Sequence, residues 1–525
     1  MPSRRAHCNQ GQRRSRALLS STLLLAAAMA AGAAAEVPPS ETRIVIDASV
    51  QGRPLPHFWE HMFGSGRAIL SLREGYRDDL RAVRRITGFS YVRFHAIFHD
   101  EVGLYSEDAH HKPVYNFSYI DQIYDGLLAS GVRPFVELGF MPGALASTQQ
   151  RQSFWYRPFS SPPKDYGRWD AMMAAFAQHL IERYGIEEVS QWYFEVWNEP
   201  NLDFWAGKPS QASYWALYDH TARSLKAVDA RLRVGGPATA QAAWVAAFIR
   251  HCNEQHVPVD FVSTHAYGDD TAENILGTHE KIPRNRMVCR AIAKVHAEIQ
   301  ASAQPALPLI FSEFNASWGN HREVTDAPYM GPYMAETIRH CDGLVQDMSY
   351  WTFSDVFEEQ GVVKTPFHGG FGLLAVGGIP KPAFNAFALL HRLGDERLPL
   401  EAEGALLTRR RRDGALVLAL WNYAEPGSTA NTRRVSLELS HIDAQSALVQ
   451  VIDGTHGNVM PAYEKMGSPS YPTQRQLAEL RRAGALPAED RQPLVGNSLS
   501  LEIASDGLAL VTLVPRGSSA AGSGH

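Results

Sequence analysis

The sequence predicts an α/β protein, a (β/α)8 barrel with an appended C-terminal β-sandwich. Short apolar segments alternate with longer amphipathic ones through the first two thirds of the chain. After Pro380 that rhythm gives way to short alternating segments separated by Gly, Asp and Pro turns. Glu199 and Glu313 close two of the apolar segments, and strand ends are where a barrel of this kind carries its chemistry.

Taken in order, the chain opens on a leader. Arg4, Arg5, Arg13, Arg14 and Arg16 precede ALLSSTLLLAAAMAAGAAA, the form of a secretory signal over 1–35 with cleavage after Ala35. The run is Ala-rich and too short for a membrane span, so no membrane anchor is expected after cleavage, and export would leave the protein in the periplasm or outside the cell. Residues 36–56 hold one strand, RIVIDAS (43–49), with no helix of its own, which suits pairing with the sandwich.

The barrel is expected over 57–385. Its strands are HFWEHM (57–62), YVRFH (91–95), RPFVELGF (133–140), WYFEVWNE (192–199), RLRVGG (231–236), DFVSTHAY (260–267), PLIFSEFN (308–315) and DMSYWTF (347–353). Between them YRDDLRAVRRI, YIDQIYDGLLAS, RWDAMMAAFAQHLIERY, YWALYDHTARSLKAV and RMVCRAIAKVHAEIQ repeat apolar residues three or four apart, as helices do. The sandwich is expected over 386–515, with LLTRRRRDGALVLALWNYA, RRVSLELSHI, ALVQVIDG and LEIASDGLALVTLV as its strands and a surface insertion at 456–495 containing the helix RQLAELRRAGA. The last residues, 516–525, form a polar tail.

Composition excludes several classes. With 50 Lys and Arg against 55 Asp and Glu, the formal charge is −5 and nucleic acid is not an expected partner. Cys252, Cys289 and Cys341 remain after the leader is removed; at most one disulfide can form among them, and with no CxxC they suggest no zinc site and read first as buried free thiols. His95 should sit on a strand that His99, four residues later, has already left, so no metal is expected from His95, His99 and Asp100. GGFGLLAVGG (369–378) reads as a turn of the chain rather than a phosphate cradle, and no cofactor is expected.

In WYFEVWNEPNLDFW, Glu199 ends the fourth strand within an aromatic run. Asn198 can hydrogen-bond a sugar hydroxyl, and Trp197, Phe204 and Trp205 offer flat faces to a sugar ring. Two carboxylates at strand ends and an aromatic wall suit glycoside hydrolysis, in which one protonates the leaving oxygen and the other attacks or stabilises the anomeric carbon. A cleft that binds a glycan without cleaving it is the alternative from another functional class.

The segments FWEHMFGSGRA, YVRFHAIFHDEVGLY, FEVWNEPNLDFW, FVSTHAYG, IFSEFNASW and MSYWTFSDVFEEQG, in this order, resemble glycoside hydrolase family 39, the β-xylosidase and α-L-iduronidase family. The resemblance implies a retaining double displacement with Glu199 as acid/base and Glu313 as nucleophile. It also implies that His95, His265 and Tyr267 face the sugar, with Tyr267 hydrogen-bonding the nucleophile, and that Trp351 forms a stacking floor. Glu358 and Glu359 can accept hydroxyl hydrogen bonds, one binding sugar and the other peripheral, with Glu358 the candidate. Arg67, in GSGRA, could hydrogen-bond hydroxyls or pair with a carboxylate, which bears on a uronic acid substrate. Tyr267 stands where iduronidase-like members place a basic residue, and SYWTFSDVFEE resembles the xylosidase branch. The expectation is an exo-acting β-xylosidase on xylo-oligosaccharides, with an arabinosyl, glucosyl, uronosyl or exopolysaccharide unit as the alternative.

Overall fold

The computed structural model describes residues 41–515, so the expected leader, its expected cleavage site and the polar tail lie outside the described residues. Eight parallel strands close a barrel: β1 (Met62–Gly64), β2 (Tyr91–Phe94), β3 (Arg133–Glu137), β4 (Tyr193–Glu195), β5 (Arg233–Thr239), β6 (Phe261–Tyr267), β7 (Leu309–Asn315) and β8 (Asp347–Tyr350). Every expected barrel strand is present. The first is the most displaced, because residues 57–61 turn before Met62 enters the sheet beside Tyr91 and Ser349. The five expected helices run Glu74–Thr87, Ser118–Ala129, Tyr166–Tyr184, Ser210–Val228 and Arg284–Gln300. Asp165 caps the third by accepting from Arg168 N at 3.1 Å, and Gly88 ends the first in the left-handed region at φ 68°.

The barrel interior is layered by the two-residue period of its strands. Met62, Tyr91, Phe135, Tyr193, Phe261 and Ile310 form an apolar plug at the N-terminal end. Two residues further along β2, β3 and β4 the inward positions become Arg93, Glu137 and Glu195, all buried. The plug therefore supports a charged layer, and the C-terminal ends of the strands lie above that layer.

Beyond the barrel, a seven-stranded antiparallel sheet faces a three-stranded one. The N-terminal strand Glu41–Asp47 runs parallel to Arg433–Ser440, which pairs on its other side with Ser498–Ile503. Strand Ala415–Asn422 shows why the assembly is cohesive. Its Leu416, Leu418 and Leu420 face the three-stranded sheet, while Val417, Ala419 and Trp421 pack on the barrel side, where Trp421 Nε1 donates to Glu336 Oε2 at 2.8 Å. A strand buried on both faces reads as a continuous apolar run, as ALVLALW does.

The 456–495 segment carries two helices, Met460–Lys465 and Gln474–Ala483, the second opened by a Thr473–Gln476 capping box. Val459, Tyr463 and Leu480 pack on Phe367, Ala375 and Ile379 of the loop that follows β8. One expectation is overturned: Cys289 and Cys341 are joined by a disulfide with Cα atoms 5.1 Å apart, and only Cys252 is a buried free thiol among the described residues. Their separation of 52 residues hid the pair, because helix Arg284–Gln300 and helix Met330–Cys341 meet only through the barrel fold.

Candidate active site

Arg93 organises the charged layer. Its Nε donates to Glu195 Oε2 at 2.6 Å, Nη1 to Glu313 Oε1 at 2.6 Å, and Nη2 to Asn198 Oδ1 at 2.9 Å. Nη2 also lies 2.9 Å from Glu137 Oε2. A guanidinium presents several donors in a fixed fork, so one side chain can hold four groups from the ends of three other strands at once. Burial opposes its charge, but Glu195, Glu137 and Glu313 outweigh that cost and raise its pKa further.

Glu313 is held at both oxygens: Arg93 serves Oε1, and the Tyr267 hydroxyl donates to Oε2 at 2.6 Å. Glu199 sits across the cleft at the end of β4, where Trp197 and Glu199 adopt left-handed φ values of 71° and 43°. Such backbone is costly for non-glycine residues and persists only where the surroundings impose it. Here Glu199 N donates to Ala238 O at 2.8 Å, fixing the turn that points the carboxyl into the cleft. One ligand atom each from Glu199, His265 and Glu313 lies within 4.8 Å of the others. Burial pushes the Glu199 carboxyl up to about 7, although the charges of His95 and Arg93 oppose the rise.

The hydrogen bonds behind Glu199 have a defined direction. Ser312 Oγ has one proton, and it donates that proton to Glu195 Oε1 at 2.6 Å. His265 Nε2, 3.1 Å from the same Oγ, must therefore be the donor of that contact. Burial pulls the His265 pKa down to about 4, against the charge of Glu313, so the ring is neutral near pH 7. Its Nδ1 then carries a lone pair, 3.0 Å from Glu199 Oε1, and accepts a proton-bearing carboxyl. The chain Glu199, His265, Ser312, Glu195, Arg93 thus favours the protonated form of Glu199.

These groups open into a cavity of about 450 Å³ at the C-terminal ends of the strands. Its lining includes His95, Asn198, Glu199, Tyr267, Glu313, Trp351 and Glu359. The floor is tightly fitted: a Cβ on Gly64 would come within 2.1 Å of the Trp351 ring. His95 Nδ1 contacts Glu137 Oε2 at 2.5 Å, and its ring lies 4.8 Å from that of Trp351. Burial disfavours the charged His95, but Glu137, Glu359 and Glu313 prevail and bring its pKa up to about 9. Its Nε2 faces Glu359 Oε1 at 3.4 Å, a buried oxygen with no hydrogen bond, and burial pushes the Glu359 carboxyl up to about 8.

The model of the glycosyl hydrolases family 39 matches residues 42–495, most of the chain. The chain belongs to glycosyl hydrolase family 39. This family 39 glycosidase is 41% identical to the β-xylosidase of Geobacillus stearothermophilus over 81% of its own length and 86% of the relative's. It is 38% identical to the β-xylosidase of Caldicellulosiruptor saccharolyticus over 82% of its length and 89% of that chain. The crystal structure of a monomeric β-xylosidase from Caulobacter crescentus superposes with a TM-score of 0.81 at 36% identity, covering 91% of this chain and all of that one (100%).

Within the family 39 glycosidase, His95, Asn198, Tyr267 and Trp351 line the cavity with the two carboxylates, as expected from sequence, whereas four other expectations need correction. His265 does not line the cavity; it is fully buried behind Glu199. Glu358 points away from it, because Arg73 Nη1 and Arg67 Nη1 take its carboxylate at 2.5 and 3.2 Å, and its neighbour Glu359 enters the cavity instead. Arg67 is likewise committed outside, to Glu101 at 2.7 Å and to Glu358, with its guanidinium 4.8 Å from the Tyr156 ring centroid. The aromatic run around Glu199 divides: Phe204 reaches the cavity, but Trp197 and Trp205 are core residues, their indole N–H groups bound to Phe204 O and Ser213 Oγ.

Sequence reasoning missed Arg93, Glu137, Glu195 and Ser312, and it favoured Glu358 over Glu359. A signal for the first three was present, since each is a charge inside an apolar strand, at the inward phase set by Tyr91, Phe135 and Tyr193. Among the described residues two trios could offer ligand atoms to a metal, Glu199–His265–Glu313 and His57–Glu60–His391. In the first, Arg93 and Tyr267 already occupy both Glu313 oxygens. The second lies at the opposite end of the barrel, where both imidazole Nδ1 atoms meet Glu60 Oε1, at 2.6 and 2.8 Å.

Proposed function

We propose that this glycosidase is an exported, exo-acting β-xylosidase that removes terminal xylose from xylo-oligosaccharides with retention of configuration. The observation that carries the mechanism is the spacing of Glu199 and Glu313, whose nearest ligand atoms lie within 4.8 Å. Retaining enzymes hold the two carboxyl groups about 5–5.5 Å apart, whereas inverting ones need about 6.5–9.5 Å to admit water.

In the first step a Glu313 oxygen attacks the anomeric carbon while Glu199 transfers its proton to the glycosidic oxygen. The carbon–oxygen bond breaks, the leaving sugar departs as an alcohol, and a glycosyl ester remains on Glu313. Ester formation removes a negative charge beside Glu199, so the carboxylate left there is tolerated. In the second step Glu199 takes a proton from water, the water oxygen attacks the anomeric carbon, and the ester bond breaks to restore both residues. Two inversions give net retention.

The same geometry supports roles around the sugar. Arg93 binds Asn198 Oδ1, which turns Nδ2 toward the cavity as a donor for a hydroxyl. His95, positively charged, offers Nε2–H, Glu359 offers an acceptor, and Trp351 provides the stacking floor. Arg67, a cation able to pair with a uronic acid, is engaged outside the cavity by Glu101 and Glu358. That arrangement favours a neutral sugar, and the two bacterial relatives bearing the name β-xylosidase point to xylose. Export is supported by the leader and by the Cys289–Cys341 disulfide.

The test is a panel of nitrophenyl glycosides. We expect kcat/KM on the β-xyloside to exceed that on α-L-arabinosides, β-glucosides and uronosides at least tenfold. A higher value on a uronoside, or no turnover of the β-xyloside, overturns the substrate assignment.

A further inference from the structure

The cavity has a rim as well as a floor, and the two differ in character. Glu199 and Glu313 are 9% and 4% exposed, so the scissile bond must reach the bottom of the cavity. The leaving unit of a xylo-oligosaccharide then has to extend outward past the loops that follow β4 to β7. On those loops the lining includes Leu202, Gln241, Asp270 and Trp318.

Trp318 stands out there. Its side belongs to the cavity lining, yet the residue is 66% exposed and its ring stacks on no other aromatic side chain among the described residues. Its backbone is firmly held nonetheless. Trp318 N donates to Asp269 Oδ1 at 3.0 Å, Ser317 Oγ donates to Asp269 Oδ2 at 2.5 Å, and Gly319 N donates to Ser317 Oγ at 3.1 Å. An indole presented to solvent on an anchored backbone contributes nothing to the core and leaves a flat apolar face for a ligand.

A polar edge accompanies this face. Gln241 is held at φ 58°, a left-handed conformation costly for glutamine, and its Nε2 donates to Asp270 Oδ1 at 3.2 Å. The other Asp270 oxygen accepts from Tyr267 N at 2.7 Å, which ties this rim to the residue that holds the nucleophile. An apolar plate and a fixed amide–carboxyl pair on one rim match a pyranose ring, which is apolar on its face and hydroxylated at its edge.

We propose that Trp318, with Gln241 and Asp270 at its side, forms the subsite for the leaving sugar, so that the enzyme recognises a second pyranose unit beyond the one it releases. This rests on the β-xylosidase reading above. It implies that the same surface binds the acceptor when the glycosyl ester is transferred to a sugar instead of water.

The experiment compares wild type, Trp318→Ala and Trp318→Phe on xylobiose and on β-xylosyl fluoride, whose leaving group has no ring to stack. Trp318→Ala should lower kcat/KM on xylobiose about tenfold, mainly through KM, and Trp318→Phe should keep most of it. Both variants should turn over the fluoride within about twofold of wild type, which also reports that they are folded. An equal effect on the two substrates, or none on xylobiose, overturns the subsite. Failure of the wild type to cleave the fluoride instead overturns the xylosidase reading and this inference with it.

Discussion

The Tyr267 hydroxyl and the Glu313 carboxylate meet at 2.6 Å, and because Arg93 takes the other Glu313 oxygen, the proposed nucleophile is fixed from both sides. Tyr267→Phe removes one charge-assisted hydrogen bond without changing the packing. A loss of about 1.5–3 kcal/mol, roughly 10- to 100-fold in kcat/KM, is expected on a nitrophenyl β-xyloside. Activity within twofold of wild type would detach Tyr267 from the reaction.

Glu199 is raised to about 7 by burial, and the first step of the proposed mechanism needs its protonated form. Since a raised carboxyl pKa keeps the proton up to that pH and loses it above, kcat/KM should fall as pH rises through about 7. Glu199→Gln should erase this basic limb. It should cost about 10²- to 10⁴-fold on xylobiose and far less on an activated aryl xyloside, which needs little help from an acid. Equal losses on both would remove Glu199 from the acid role.

The directed chain behind Glu199 makes its own prediction. Ser312 accepts from His265 Nε2, which leaves Nδ1 as an acceptor for the Glu199 proton. Ser312→Ala releases the imidazole to place its proton on Nδ1 and donate to Glu199, which favours the ionised carboxylate. The basic limb of the pH profile should move to lower pH. A limb that stays in place or moves up would contradict the assigned tautomer.

Gly64 and Trp351 are as closely fitted as any pair at the site, with space for no Cβ. Gly64→Ala should displace the Trp351 ring, raise KM for xylosides several-fold and cost about 1–3 kcal/mol of stability. Thermal unfolding and steady-state kinetics on one preparation read both.

Cys289 and Cys341 close a loop spanning 52 residues, for which loop-closure entropy gives roughly 4 kcal/mol at most. Reductant, or Cys341→Ser, should lower the melting temperature while leaving kcat little changed in the folded range. A chain beginning at Glu36, which lacks Cys8, should titrate a single thiol, from Cys252, when denatured without reductant. Three thiols would refute the pairing.

The features visible in sequence and those hidden differ by physical cause. The barrel strands were legible because each is a short apolar run bounded by turn residues, and Glu199 because NEP closes such a run. Glu358 and Glu359 could not be told apart, since a loop has no period to decide which of two adjacent side chains turns inward. Arg73 decided it, by drawing Glu358 outward. Trp197 and Trp205 looked like a sugar wall because composition around a carboxylate does not say which rings face it; their indole N–H groups found partners in the core. Arg93 was overlooked as one charge in an apolar strand, although its burial only makes sense with several carboxylates around it.

The central claim is that Glu313 forms and Glu199 then hydrolyses a glycosyl ester. Following the anomeric proton by NMR during cleavage of a β-xyloside, beside the same protein carrying Glu313→Ala, tests it directly. The account predicts that β-xylose appears first and mutarotates afterwards, and that the variant releases none. α-Xylose as the first product, or undiminished release by the variant, would contradict it.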